Sequence, residues 1–118
     1  MTMLTGNRVV DAYIEAALWT SEPEPGPERE RRDRATLSPQ AIETALADCT
    51  AFMAHNAPDV EALDLSQVGH DFWLTRNSHG VGFWDRGLGE VGARLTRAAN
   101  RFGESALYVG DDGLLYFT

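Results

Sequence analysis

Residues that could hold a metal ion or move a proton are concentrated in the second half of this 118-residue chain. They are two histidines and four aspartates: His70, Asp71, His79, Asp85, Asp111 and Asp112. Imidazole and carboxylate groups are usual zinc ligands and usual general bases. If the stretch between the two histidines is extended, His70 and His79 lie roughly 20 Å apart and cannot share an ion. We therefore predict no metal site and no cofactor.

No motif of a known catalytic class accompanies these residues. The sequence has no nucleophile elbow, P-loop, dinucleotide fingerprint or zinc-protease motif. Gly80-Val81-Gly82 resembles part of a glycine motif, but it does not stand between a strand and a helix. Asp71 with Arg86 is better explained as a structural ion pair than as an active pair. The sequence therefore predicts no catalytic residue and a protein that is not an enzyme.

The element expected to position these residues is a β-hairpin over residues 70–86. Asn77, Ser78 and Gly80 are typical turn residues between two short aromatic runs. Opposed aromatic and oppositely charged side chains stabilise such strands. A four-residue loop gives three cross-strand pairs: Trp73 with Trp84, Leu74 with Phe83, and Asp71 with Arg86.

The rest of the chain predicts three helices, a linker and a second hairpin. The helices run from Arg8 to about Trp19 after an Asn7 cap, from Ser38-Pro39 to about Asn56, and over residues 87–103. The second hairpin joins residues 106–109 and 114–117 through Gly110-Asp111-Asp112-Gly113. A short helical turn is expected within 59–65.

Residues 21–36 are predicted to be an exposed, charged, proline-rich linker. No apolar residue occurs between Ser21 and Arg34, so this stretch has nothing to bury. The mixed charges of 28–34 allow a short solvated helix there. The predicted fold is one α+β domain over residues 1–118, with an antiparallel sheet of two hairpins packed against two or three helices. Its order is helix, linker, helix, hairpin, helix, hairpin.

The charge of the chain is acidic and uneven. The net charge is -8, and every basic residue is Arg. Residues 1–69 carry twelve Asp and Glu against five Arg, whereas residues 70–118 carry six against five. Such a field disfavours direct contact with nucleic acid and favours a basic protein surface as partner.

Composition also bears on the compartment. No apolar run approaches the roughly 20 residues that span a bilayer, and the first residues lack the pattern of a signal peptide. Cys49 is the single cysteine, so an intramolecular disulfide is excluded. These features predict a cytoplasmic protein that does not contact a membrane.

Seven residues are candidates for contact with a partner, because they are acidic, aromatic or arginine. They are Asp48, Asp59, Glu61, Asp64, Trp73, Trp84 and Arg86. For the two Trp residues, an exposed binding surface and a buried secondary core are equally compatible with the sequence.

The hairpin region resembles a known protein family. The residues that carry the resemblance are His70-Asp71-Phe72-Trp73-Leu74-Thr75-Arg76-Asn77, His79-Gly80 and Gly82-Phe83-Trp84-Asp85-Arg86. They are similar to those of a small acidic protein family of phages, prophages and other mobile elements, and 107–113 resembles its closing hairpin. The resemblance covers about the last 50 residues. It implies a mobile-element setting, possible anti-CRISPR or other anti-defence activity, and no particular reaction.

Three functions follow from these features. The leading hypothesis is a non-enzymatic inhibitor of a host nuclease or CRISPR-type complex, in which an acidic surface imitates nucleic acid. One alternative is a small accessory enzyme or ligand-binding protein centred on His70, Asp71, His79 and the Trp pair. Another is a phage structural or replication accessory protein that self-associates as a homodimer.

Overall fold

A computed structural model describes residues 5–21, 23–78 and 82–118. In this part of the chain, six α-helices and a 3₁₀ turn accompany a three-stranded sheet. In chain order they are α1 (Arg8–Thr20), α2 (Pro27–Arg34), β1 (Thr36–Leu37), α3 (Pro39–His55), α4 (Ala57–Val60), α5 (Leu65–Arg76), the 3₁₀ turn (Phe83–Asp85), α6 (Glu90–Asn100), β2 (Leu107–Val109) and β3 (Leu114–Phe117). The class is α+β, as predicted. Within the described residues, no helix is both long and apolar enough to cross a membrane.

Helices α1 and α3 form as their caps and spacing predict. The Asn7 side chain accepts from the first free N–H groups of α1, and Ser38 accepts from Ala41 in α3. Each helix buries one apolar face, which in α3 includes Cys49 and Phe52. Helix α6 is shorter than the predicted 87–103 but lies within it.

The predicted hairpin over residues 70–86 is wrong. Residues 65–76 form helix α5, which begins where Asp64 accepts a hydrogen bond from the Gln67 N–H. Six consecutive residues, 71–76, are buried. A strand with one solvated face would alternate between buried and exposed residues, whereas a helix packed on several sides is buried all round. Helix α5 packs mainly against α1 and also against α6 and the 3₁₀ turn.

Because the hairpin does not form, the predicted cross-strand pairs of Trp73 with Trp84 and of Leu74 with Phe83 are also wrong. Trp73 is buried edge-on against Tyr13, with ring centroids 5.2 Å apart, whereas Trp84 is 55% exposed on the 3₁₀ turn. Asp71 and Arg86 do contact each other, but they join a helix to the segment after the turn.

The sheet is mixed rather than made of two antiparallel hairpins. The second hairpin is confirmed, since β2 and β3 pair antiparallel with Tyr108 opposite Tyr116. The other neighbour of β3 is β1, which pairs with it in parallel, so the sheet contains no strand from the expected 70–86 hairpin. Strand β1 comes from the end of the expected 21–36 linker, whose charged part forms α2 with no buried residue.

Candidate functional site

A groove with a volume of about 630 Å³ lies between α1 and α5. Ligand pockets usually fall between about 300 and 1,000 Å³. The lining residues come mostly from these two helices: Arg8, Asp11, Ala12, Glu15, Asp64, Ser66, Gln67, His70 and Arg86.

Close packing of the two helices fixes the shape of this groove. A Cβ built on Gly69 would lie 2.0 Å from the carbonyl oxygen of Val9, so any larger residue would force α5 away from α1. On α1, residues 8, 11 and 15 are three and four positions apart and share one face. On α5, the cap residue Asp64 and Gln67 face them across the groove.

Asp71 is a buried carboxylate beside this groove, and both of its oxygens accept hydrogen bonds. It is 1% exposed and accepts from Arg86 Nε at 3.1 Å, Arg86 Nη2 at 2.9 Å and Gln67 Nε2 at 3.0 Å. The bonds to Asp71 raise the pKa of Arg86 above its ordinary value. This two-bonded pair fastens the segment after the 3₁₀ turn to α5.

His70 lies on the groove wall and is held by an aromatic neighbour. Its ring stacks on that of Trp19, with centroids 6.4 Å apart and planes 27° apart. Its Nδ1 lies 4.0 Å from the nearest Asp71 oxygen, which is too long for a hydrogen bond. This buried nitrogen has no hydrogen-bond partner among the described residues.

Asp11 has a second unsatisfied atom. Its Oδ1 accepts from the N–H and the hydroxyl of Thr5, at 2.9 Å and 2.8 Å. Its Oδ2 is buried without a partner in the described part of the chain, and the residue as a whole is only 8% exposed. Since buried carboxylate oxygens are normally hydrogen-bonded, Asp11 is a chemically unusual residue in the groove wall.

Asp48, a predicted contact residue, is instead part of an internal network. Buried Arg76 donates to Asp48 Oδ2 and to the Tyr13 hydroxyl, both at 2.8 Å. It also donates to the carbonyl oxygens of Gly103 and Phe102. These bonds connect α1, α3 and α5 to the segment after α6.

Asp59 and Glu61, two other predicted contact residues, differ in their surroundings. Asp59 accepts two hydrogen bonds from Arg94, at 2.9 Å and 2.7 Å, and these bonds lower the pKa of Asp59. Glu61 is exposed, and its side chain makes no hydrogen bond or ion pair within the described residues. Asp64 is also exposed, with Arg8 Nη2 at 3.9 Å.

The other candidate ligands do not come together. In the part of the chain described, no three His, Cys, Asp or Glu side chains are grouped as a metal site would require. Asp112 serves its own turn by accepting from the Leu114 N–H and the Tyr116 hydroxyl, whereas Asp85 lies on the 3₁₀ turn. His79 lies outside the described residues.

Sequence reasoning missed Asp11, Glu15 and Gln67 as groove residues, and Trp19 as the ring stacked on His70. Helical spacing in the predicted first helix was a usable signal for the α1 members. No signal was available for Gln67, because its segment is predicted to be neither part of a helix nor part of a site.

Comparison with protein-family models, with curated proteins and with solved structures found no match for this chain.

Proposed function

We propose that this protein is a non-enzymatic inhibitor that binds a basic surface of a host nuclease or CRISPR-type complex. In this proposal it acts in the cytoplasm, in the mobile-element setting implied by the sequence resemblance. The observation that supports it best is a set of carboxylates along α1 and around the start of α5, of which Glu15, Glu61 and Asp64 are exposed and Asp11 is buried in the groove wall.

Charge distribution supports a protein partner. The side chains of Glu15 and Glu61 are exposed and make no hydrogen bond or ion pair with the described residues, so their charge remains available for a partner. Asp48 and Asp59 are largely neutralised by Arg76 and Arg94. The contact surface is therefore proposed to be narrower than the whole acidic half of the chain.

Rigidity supports mimicry of a charged polymer. Carboxylates compete for Arg and Lys side chains best when their spacing is fixed before binding. Helices α1 and α5 meet at backbone distance at Gly69, which holds the carboxylates of the two helices in one arrangement.

The hydrogen bonds that Asp71 already accepts argue against the enzymatic alternative. A general base needs a free acceptor for the proton that it removes. Both Asp71 oxygens already accept hydrogen bonds, from Arg86 and Gln67. The His70 ring nitrogen Nδ1 has no hydrogen-bond partner among the described residues, so no nucleophile is hydrogen-bonded to it.

The test begins with isolation of the target and ends with its activity. The wild-type protein is used as bait in a host lysate, and any retained nuclease complex is assayed for DNA cleavage with and without added protein. We expect cleavage to stop near equimolar protein. Inhibition should weaken steeply with salt, because exposed charges are screened over about 8 Å at physiological ionic strength.

Charge-reversal variants locate the surface. The double variant Glu15→Arg/Glu61→Arg should lose inhibition while it retains its melting temperature, since both side chains are exposed and unpaired. Glu43→Arg/Glu104→Arg changes the net charge equally at other exposed positions and should still inhibit. If the first variant inhibits normally and folded His70→Ala does not, the ligand-binding alternative replaces this proposal.

A further inference from the structure

The α1–α5 groove holds buried polar atoms for which the described chain provides no hydrogen-bond partner. Asp11 Oδ2 and His70 Nδ1 are buried without hydrogen-bond partners, and Glu15 is unpaired. Both unsatisfied atoms belong to residues that line the same groove. Because buried acceptors are nearly always satisfied, the groove as described is one in which donors are missing.

Charge at the groove is negative. Asp11, Glu15 and Asp64 line it together with Arg8 and Arg86. The Arg86 charge is already matched by Asp71, which lies just behind the wall. A cationic donor would therefore be attracted, whereas an anion would meet an excess of carboxylates.

Geometry favours a guanidinium over an ammonium group. The acceptors are separate atoms on two helices, and a guanidinium carries five N–H donors in a planar fork that can reach several acceptors at once. The exposed Trp19 ring, stacked on His70, offers an aromatic face of the kind on which guanidinium groups pack. The groove already contains one such arrangement, since Arg86 binds Asp71 through two nitrogens.

We infer that the groove is a receptor site for one arginine side chain of the protein partner. The guanidinium binds between Asp11 and Glu15 and donates to Asp11 Oδ2 and to His70 Nδ1. The side chains of Asp11 and His70 rotate slightly to expose these atoms as the arginine enters. This inference rests on the proposed function, because it names the group of the basic partner that the acidic surface recognises.

Blocked amino acids test the site without the partner. Nα-acetyl-arginine amide is titrated into the ¹⁵N-labelled full chain at low ionic strength, and amide shifts are followed by NMR. We expect saturable shifts confined to α1 and to residues 64–70. The citrulline analogue, which is nearly the same shape but uncharged, should produce no shifts, and the lysine analogue should bind more weakly.

Conservative variants assign the contacts. Glu15→Gln and Asp11→Asn should each weaken the arginine probe by about tenfold, the value of one charged hydrogen bond. Glu43→Gln, on the exposed face of α3, should bind the probe like the wild type. Because Glu15 is exposed, Glu15→Gln keeps the test valid even if Asp11→Asn lowers stability.

Three results would overturn the inference: equal binding of citrulline or lysine, shifts spread outside the groove, or wild-type affinity in both groove variants. Its failure is distinguishable from failure of the proposed function. If the nuclease is inhibited but blocked arginine does not bind, the acidic surface acts without a receptor groove. If blocked arginine binds as expected but no nuclease is inhibited, the groove inference stands and the inhibitor proposal fails.

Discussion

Gly69 of α5 lies against the backbone of α1 so closely that a Cβ would come within 2.0 Å of the Val9 carbonyl oxygen. Alanine is intrinsically the better helix former by roughly 1 kcal/mol. We nevertheless expect Gly69→Ala to destabilise the protein by about 1–3 kcal/mol, because the helices must separate. Urea unfolding measures this. Thr50→Ala, on an exposed position of α3, is the matched control and should be neutral or slightly stabilising; equal stability of both variants would contradict the close contact.

Arg76 is expected to be the most costly charged residue to remove. It is 6% exposed, and its loss leaves the carboxylate of Asp48 and the hydroxyl of Tyr13 without their donor. We expect Arg76→Met to destabilise the fold by about 3–5 kcal/mol. Arg94→Met removes an arginine from an exposed pair and should hardly move the unfolding midpoint. Comparable midpoints for the two variants would show that the Arg76 network is not structural.

The two Trp residues should respond in opposite ways to truncation. Trp73 is buried and its indole N–H donates to Thr20 Oγ1 at 2.8 Å, whereas Trp84 is 55% exposed. We expect Trp73→Ala to destabilise the protein by about 3–5 kcal/mol and Trp84→Ala to leave its stability nearly unchanged. Thermal unfolding provides the test. A large loss of stability in Trp84→Ala would mean that this ring is packed.

The free energy of unfolding should decrease at alkaline pH because of two buried groups, the Tyr13 hydroxyl and the Cys49 thiol. Burial raises the pKa of Tyr13 and of Cys49 above their ordinary values of 10.0 and 9.0. The stability that these groups contribute is complete below those values. It decreases as pH rises above them, because the unfolded chain releases protons that the folded chain retains.

Unfolding free energies between pH 8 and 11 measure this effect. The pKa of Tyr116 is also raised, through its bond to Asp112, so all proteins carry Tyr116→Phe. We expect the added pair Tyr13→Phe/Cys49→Ala to flatten the pH dependence, even though it lowers stability at pH 8. An unchanged slope would assign the alkaline loss to other groups.

The fold could be predicted where a segment contains its own apolar stripe or turn residues, and not where it lacks them. Helices α1 and α3 have side-chain caps and one-sided apolar stripes, and the second hairpin has a Gly-Asp-Asp-Gly turn, so each was found. Helix α5 has neither a stripe nor alternation, because six consecutive residues are buried by neighbours on several sides. The burial of α5 depends on the elements that pack around it, and the hydrophobic periodicity within the segment does not reveal these neighbours.

The candidate site was harder to predict than the fold. The contact of Asp71 with Arg86 was anticipated although the hairpin proposed for it does not exist, since opposite charges near each other in the chain can pair in more than one geometry. The groove depends on how α1 is rotated against α5, which only the packed structure reveals. Gly69, a glycine now seen to lie inside a helix, was the one local sign of a close helix contact.

Strand β3 lies at the centre of the sheet, yet it is the last of the three strands to be synthesised. Strand β1 and the start of α3 leave the ribosome before β3. The Ser38 N–H donates a hydrogen bond to the carbonyl oxygen of Leu115, and this bond cannot form until β3 has been synthesised. Until β3 emerges, the core residues that Leu115 and Phe117 cover in the folded protein are exposed to water. The hydrophobic cluster of the nascent chain can therefore close only after residues 114–117 have left the ribosome.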